Sequence, residues 1–338
     1  MGSCLKSTLI FISDIYFLFV SVLFWFLNVF RKRRIVTKPD DGLLLISATQ
    51  AAEMIRRKEI TSSDLLEAYI KRIEQVNGII NAVVVKDYTC ARHTAAEIDA
   101  VLAKLTDDSD EYNELITAKP LLGVPFTVKD CIEVNGLACT AGLSCRKGTK
   151  AVKDAVVIER MRNSGAIILA VTNVPEVCMW WESFNSIYGR SSNPYDSRRI
   201  TGGSSGGEAA LISSAGSVVG IGSDIGGSIR MPSYFNGVFG LKPTPGIVPL
   251  DGHLPEPVGY RTEMLRIGPI CRYAEDLTVM LKVLADNDGL SRILGNPVDL
   301  HGLRVFYMKG LKTPLVQPLS SDCENALRRV FFFCFVTV

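Results

Sequence analysis

Residues 201–228 constrain the fold of this chain more than any other stretch. These 28 residues contain nine glycines and seven serines, a composition that taken alone describes a flexible linker. The intervals between the glycines are apolar, however: Ala209-Ala-Leu-Ile212 and Val218-Val-Gly-Ile221. A solvated linker does not alternate with buried-strand material. The tract therefore belongs to a packed core, where glycine lets backbone approach backbone or lets backbone amides converge on a ligand. Phosphate-binding alternatives fail on spacing. No Gly-Lys-Ser/Thr follows a glycine run, and a dinucleotide loop built on Gly220 and Gly222 would need glycine where Ile225 stands. Gly202-Gly-Ser204-Ser-Gly206 and Gly203-Ser-Ser205-Gly-Gly207 both match the Gly-x-Ser-x-Gly turn that presents the nucleophile of α/β-hydrolases. That reading needs a histidine partner, and only His253 and His301 lie downstream.

Composition narrows the partners. Hydrophobic residues make up 47% of the 338 and charged residues 21%, which excludes disorder and supplies a large core. The net charge is +2, but the first forty residues hold six positive side chains against Asp14 and Asp40, so the remainder is slightly negative. No basic face results, which argues against nucleic acid as a partner. Nine cysteines at irregular spacings, none paired as Cys-x-x-Cys, argue against a disulfide scaffold or a zinc site. The three histidines, His93, His253 and His301, lie in no metal motif, so neither metal nor cofactor is expected.

Thr8–Phe30 is broken only by Asp14, Asn28 and a few hydroxyls. As a helix it would reach about 34 Å, enough to cross a hydrocarbon core. A cleaved signal peptide would be followed by small residues, whereas Asn28-Val-Phe-Arg-Lys-Arg-Arg34 follows here. Residues 1–34 thus read as a single-pass membrane anchor with a basic flank. The four consecutive positive charges Arg31–Arg34 place residues 35–338 on the cytosolic side.

Downstream, Ser47-Ala-Thr-Gln50 reads as a capping box opening a helix to Lys58, and Thr61-Ser-Ser-Asp64 opens another to Val76, stopped by Asn77-Gly78. Strands are expected over 79–85, 121–128, 166–172 and 303–308, and helices over 88–105, 155–163 and 275–285. Residues 106–114 read as an acidic loop, and Pro125 suggests a bent or edge strand. Such alternation argues α/β with a largely parallel core sheet.

Three motifs stand in order: Leu122-Gly-Val-Pro-Phe-Thr-Val-Lys129-Asp130, Gly202-Gly-Ser204-Ser-Gly-Gly-Glu208 and Ser223-Asp-Ile-Gly-Gly-Ser228-Ile-Arg230. With Asn193-Pro-Tyr-Asp196, Phe239-Gly-Leu-Lys-Pro-Thr244 and Gly268–Asp276, they resemble the amidase signature family of Ser-Ser-Lys hydrolases over residues 45–330. With the apolar amino terminus, the chain is most similar to membrane-bound members that act on lipid amides. The resemblance implies a central mixed, twisted sheet flanked by helices, Ser228 as nucleophile, Ser204 as a bridging serine after a cis peptide bond, and Lys129 as base. It implies an oxyanion hole from the N–H groups of Ile225, Gly226, Gly227 and Ser228. The chemistry is consistent: serine needs a base, and burial of a lysine disfavours its charged form. Asp224 and Arg230 are placed to pair. Met179-Trp-Trp181 and Phe184 suit either an acyl channel or core packing. A homodimer stays open as a partner.

The resemblance also implies a longer catalytic region, so residue 338 reads as a truncation. Asp322–Arg329 starts an amphipathic helix, whereas Phe331–Val338 has the composition of an aggregation-prone strand. The alternatives to a lipid amidase are a catalytically inactive, membrane-tethered fragment and an α/β-hydrolase esterase.

Overall fold

The computed structural model describes residues 3–107, 109–299, 304–308, 310 and 316–336. The local signals at the amino-terminal side form largely as read. Helix α1 (Ser3–Val29) is continuous, and its Leu5–Val29 stretch, with a mean hydropathy of 2.2, is long and apolar enough to cross a membrane. Ser47 opens α2 (Ala48–Arg56) with a complete capping box: its hydroxyl accepts from the Gln50 N–H at 3.1 Å, and the Gln50 side chain accepts from the Ser47 N–H at 3.2 Å. Thr61 caps α3 (Ser62–Ile80), accepting from the Asp64 N–H at 2.9 Å.

Helix α3 runs through Asn77-Gly78 and ends only at Asn81, which adopts the left-handed conformation. Asn77 does not stop the helix. Its Oδ1 accepts from the Ala82 and Val83 N–H groups, both at 2.8 Å, and so fastens the chain as it leaves the helix. Strand β1 is correspondingly short, Val83–Lys86. Helix α4 (Tyr88–Lys104) falls where expected, but the anticipated acidic loop contains α5 (Asp110–Ala118). Ser109 caps it, and Asp110 and Glu111 lie in its first turn, where acidic residues favour the helix dipole.

Strand β2 (Pro125–Lys129), helix α6 (Val156–Asn163) and strand β3 (Ile167–Thr172) form a parallel crossover unit. Two small ribbons follow: β4 (Phe184–Asn185) with β5 (Gly189–Arg190), and β6 (Ser192–Asn193) with β7 (Asp196–Ile200). Then come α7 (Gly206–Ser213), β8 (Val219–Asp224), α8 (Arg230–Asn236), β9 (Phe239–Gly240), α9 (Arg261–Met264), β10 (Arg266–Cys271), α10 (Asp276–Ala285), α11 (Asp288–Ile293) and α12 (Ser321–Val336).

The six-stranded sheet has the order β1-β3-β2-β8-β10-β9. Only β2–β3 and β2–β8 are parallel; the other pairings are antiparallel, so the sheet is mixed rather than largely parallel. Strands β2, β3, β8 and β10 are buried at every residue, which explains their unbroken runs of apolar and small residues. Pro125 does not mark an edge. It is the first residue of an interior strand, a place where the missing N–H is tolerated.

Two carboxy-terminal expectations fail. Arg304–Met308 forms no strand, and Leu303 lies outside the described residues. Helix α12 continues through Phe331 and Phe332 to Val336 instead of giving way to a strand. Arg33–Leu294 forms one compact unit, and the residues flanking it on both sides form a second. Arg33 and Arg34, read from sequence as the flank of the anchor, belong to the first unit. Arg33 Nη2 donates to the Tyr195 carbonyl at 3.1 Å, and the Arg34 N–H donates to Ser197 Oγ at 2.9 Å.

Candidate active site

Chain order and strand order together create a crevice. From β2 the chain crosses to β3 on one side of the sheet and later returns as β8 on the other side of β2. Such a reversal opens a cleft at the carboxyl ends of the parallel strands, where α/β proteins bind ligands. Lys129 ends β2, and Ser223-Asp224 ends β8. The lysine side chain is fully buried.

Lys129 Nζ lies 2.5 Å from Ser204 Oγ, 3.0 Å from Ser223 Oγ and 3.2 Å from the Ser223 carbonyl oxygen. Ser204 follows a cis peptide bond from Gly203. Gly203 packs so closely against the Trp180 carbonyl and the backbone of Trp181 and Glu182 that a side chain there would collide with them. The next residue, Ser205, donates its N–H to the Ser228 carbonyl at 3.1 Å. This bond ties the loop carrying Ser228, which is half-buried, to the turn carrying Ser204. Three residues separated by 75 and 24 positions in the chain are thereby gathered at one end of the sheet.

The 224–230 loop is built around Asp224. Its carboxylate receives a two-pronged contact from Arg230, Nε at 3.0 Å and Nη2 at 3.0 Å, and accepts from the Gly227 N–H at 2.8 Å and the Ile229 N–H at 3.1 Å. Burial would raise this carboxyl, but the Arg230 guanidinium and the two amides hold it well below the usual carboxylate range. Lys242 Nζ donates to the Ile225 carbonyl at 2.7 Å. The Asp224–Arg230 pair expected from the sequence is present. Among the anticipated oxyanion donors, the Gly227 N–H is already engaged by Asp224.

Three further residues at the site carry no role assigned from the sequence: Glu208 and Ser223 stand within the motifs, and His253 enters only as a candidate partner in the hydrolase-elbow reading. Glu208, on α7, is fully buried beneath β2 and β3, where the Thr127 hydroxyl lies 2.7 Å from Oε2 and the Thr172 hydroxyl 2.8 Å from Oε1. Gly220 leaves the space its carboxyl occupies. Burial pushes this carboxyl up to about 8, against the two threonine hydroxyls and the Lys129 charge, which pull it down. Ser223 touches Lys129 through both its hydroxyl and its carbonyl. His253 Nε2 lies 3.0 Å from Ser223 Oγ and 3.5 Å from Cys131 Sγ.

The hydrolase-elbow reading does not fit. The strand before Ser204, β7, pairs with β6 in a separate ribbon rather than rising from the main sheet, and His253 meets Ser223. His301 lies outside the described residues. The core-packing reading of Met179, Trp180, Trp181 and Phe184 also fails, because all four are exposed. No disulfide joins Cys90, Cys131, Cys139, Cys145, Cys178 or Cys271. Among the described residues no group of three His, Cys, Asp or Glu side chains could hold a metal ion. A cavity of about 250 Å³ lies elsewhere, between Ile98, Val101, Leu122 and Ala166, and none of the site residues lines it.

A family model described as Amidase matches residues 64–301. Fatty-acid amide hydrolase 2 of Homo sapiens is 46% identical over 277 residues, covering 82% of this chain and 51% of that protein. Fatty-acid amide hydrolase 2-A of Danio rerio is 45% identical over 296 residues, covering 87% and 54%. The solved structure of a fatty acid amide hydrolase superposes with a TM-score of 0.65 at 26% identity, over 75% of this chain and 44% of that one. The chain spans about half the length of the curated relatives it matches. With the family model covering most of the chain and the motif residues gathered at the carboxyl ends of the parallel strands, this protein belongs to the amidase signature family.

Proposed function

We propose that the chain carries the catalytic apparatus of a serine-dependent amidase acting on lipid amides, with Ser228 as nucleophile, Ser204 as proton bridge and Lys129 as base. The 2.5 Å contact between Lys129 Nζ and Ser204 Oγ is the observation that carries this reading. An ammonium has three N–H donors, and the three oxygens around Nζ are Ser204 Oγ, Ser223 Oγ and the Ser223 carbonyl. A neutral amine has two donors and one lone pair. It keeps both bonds to Ser223 and turns the lone pair to the Ser204 hydroxyl. The same three neighbours therefore serve both states, and a proton can pass between Lys129 and Ser204 without rearrangement.

In this mechanism Ser228 Oγ attacks the amide carbonyl while its proton moves to Ser204 and the Ser204 proton moves to Lys129. The return path protonates the amine as it leaves, and water then releases the acid from the acyl-enzyme. The N–H groups of Ile225, Gly226 and Ser228 are the stronger oxyanion donors, since the Gly227 N–H holds Asp224. Support for a lipid substrate comes from the exposed side chains of Trp180, Trp181 and Phe184 on the segment whose backbone at 180–182 packs against Gly203, and from the membrane-length α1. The two relatives named fatty-acid amide hydrolase 2 point the same way. We read residues 1–32 as the anchor and the unit beginning at Arg33 as catalytic and cytosolic.

The test is covalent labelling by a fluorophosphonate. The wild-type chain should label at Ser228, and Ser228→Ala should abolish it. Label persisting in that variant and mapping to Ser204 overturns the assignment. A chain that takes no label at either serine supports the non-catalytic alternative.

A further inference from the structure

We infer that His253 is a positioning residue that fixes the direction of the Ser223 hydroxyl and so reserves the Lys129 lone pair for Ser204. This inference rests on the proposed role of Lys129 as base.

Ser223 Oγ is the ambiguous neighbour of Lys129. The Ser223 carbonyl can only accept a hydrogen bond, but a hydroxyl can accept or donate. If the Ser223 hydroxyl donated to the amine, it would occupy the lone pair that the relay needs and compete with Ser204. Its direction is decided on its other side. His253 Nε2 lies 3.0 Å from Ser223 Oγ, and His253 Nδ1 lies 3.0 Å from the Pro255 carbonyl oxygen. A carbonyl cannot donate, so the Nδ1 bond requires the proton on Nδ1. In the neutral ring Nε2 is then an acceptor. It takes the Ser223 proton, and Ser223 Oγ is left to accept from Lys129 at 3.0 Å. The chain of bonds has one direction: Lys129 N–H to Ser223 Oγ, Ser223 O–H to His253 Nε2, His253 Nδ1–H to Pro255 O.

The backbone holds the ring in place. His253 forms an isolated antiparallel bridge with Ile132, three residues beyond Lys129. Flanking bonds run from the Glu133 N–H to the Gly252 carbonyl at 2.9 Å and from the Leu254 N–H to the Cys131 carbonyl at 2.7 Å. The ring itself is buried. Cys131 Sγ is the rival partner, 3.5 Å from Nε2 and 3.6 Å from Ser223 Oγ. Against burial, the Cys178 contact and the His253 and Lys129 charges lower its thiol, which weakens it as a neutral donor, and the Ser223 hydroxyl is the closer partner of Nε2.

Two readouts on the full chain in detergent test this. The first needs no turnover: ¹⁵N spectra of the imidazole nitrogens, with His253 assigned through His253→Gln. His253 should show a protonated Nδ1 and an unprotonated Nε2, and Ser223→Ala should move the Nε2 resonance downfield whereas Cys131→Ala should not. A protonated Nε2 in the wild type, or a resonance that follows Cys131 instead of Ser223, overturns the inference. The second is the rate of fluorophosphonate labelling, with amide hydrolysis alongside. His253→Ala should slow labelling by about 10- to 100-fold, the range seen when a partner orienting a functional group is lost, with the loss in kcat rather than KM. His253→Gln, whose side-chain oxygen can stand near the Nε2 position, should restore most of it. His253→Ala should add nothing once Ser223 is Ala. Additive losses, or no rescue by Gln, would sink the inference while leaving Lys129 as base. A Lys129→Ala chain that labels at the wild-type rate would instead refute the base assignment itself.

Discussion

Glu208→Gln isolates one buried proton. Burial raises the Glu208 carboxyl from its ordinary 4.5 to about 8, so at neutral pH the folded chain holds a proton that the unfolded chain has released. Stability falls with pH wherever the folded state binds more protons, so the contribution of Glu208 is intact below 4.5 and is lost as pH rises towards 8. Each tenfold change in proton affinity corresponds to 1.36 kcal/mol, so the full loss is on the order of 5 kcal/mol. Glutamine keeps the shape and the hydrogen bonds of the neutral acid: its oxygen accepts from Thr127, and its amide donates to Thr172, whose hydroxyl can turn to the Val128 carbonyl at 3.3 Å. Asp130, raised by burial to about 7, contributes a similar slope in both proteins and cancels in the difference. Thermal melts of the full chain in detergent should therefore give matching midpoints at about pH 5 and a variant more stable by on the order of 10 °C at about pH 8.5. Two stability curves that stay parallel across this range would show that Glu208 is ionised in the folded chain and that no neutral carboxyl lies beneath Lys129.

Two further outcomes follow from the site and the anchor. Lys129→Ala should slow amide hydrolysis by about 10²–10⁴-fold and slow a matched ester less, because an alkoxide leaves with less protonation than an amine; equal losses on both would remove Lys129 as the acid of the return path. Deleting residues 1–32, which spares the bonds of Arg33 and Arg34 to the 195–197 loop, should release the chain from carbonate-washed membranes, and retention would point to a second apolar attachment such as the Trp180–Trp181 surface.

What the sequence disclosed depended on how local the cause was. The capping box at Ser47, the cap at Thr61 and the membrane-length apolar run are settled within a few residues, and all were legible. Asn77-Gly78 was misread because the Asn77 side chain acts on backbone further along, at Ala82 and Val83, and Asp110-Glu111 because acidic residues taken for a loop stand in the first turn of a helix capped by Ser109. Of the two readings of Pro125, the edge strand failed because strand order, which no local pattern encodes, puts it in the sheet interior, while the β2–β3 register does shift just after it, between Phe126 and Thr127. The three motifs were legible as motifs. Ser223 stood inside one of them with no assigned role, and Glu208 closed another. His253 carried no usable signal, since its contact with Ser223 joins residues 30 apart through a bridge to the segment after β2.

The electrostatic pattern around Lys129 separates two kinds of buried acid that look alike in sequence. Asp224 lies three residues beyond the end of the β2–β8 register and stays ionised because Arg230 and two amides meet it, so its charge serves the 224–230 loop. Glu208 lies under the sheet, is met only by hydroxyls, and keeps its proton. Had Glu208 been ionised, its charge would have favoured the ammonium form of Lys129 and opposed its use as a base. Placing the ionised carboxylate in the loop and the neutral one beneath the lysine fits the proposed roles, an ordered loop around Ser228 and a Lys129 amine that can accept a proton. Both dispositions come from the same parallel pairing of β2 with β8, which puts Lys129, Ser223 and Asp224 at one end of the sheet and Thr127 with Gly220 within it.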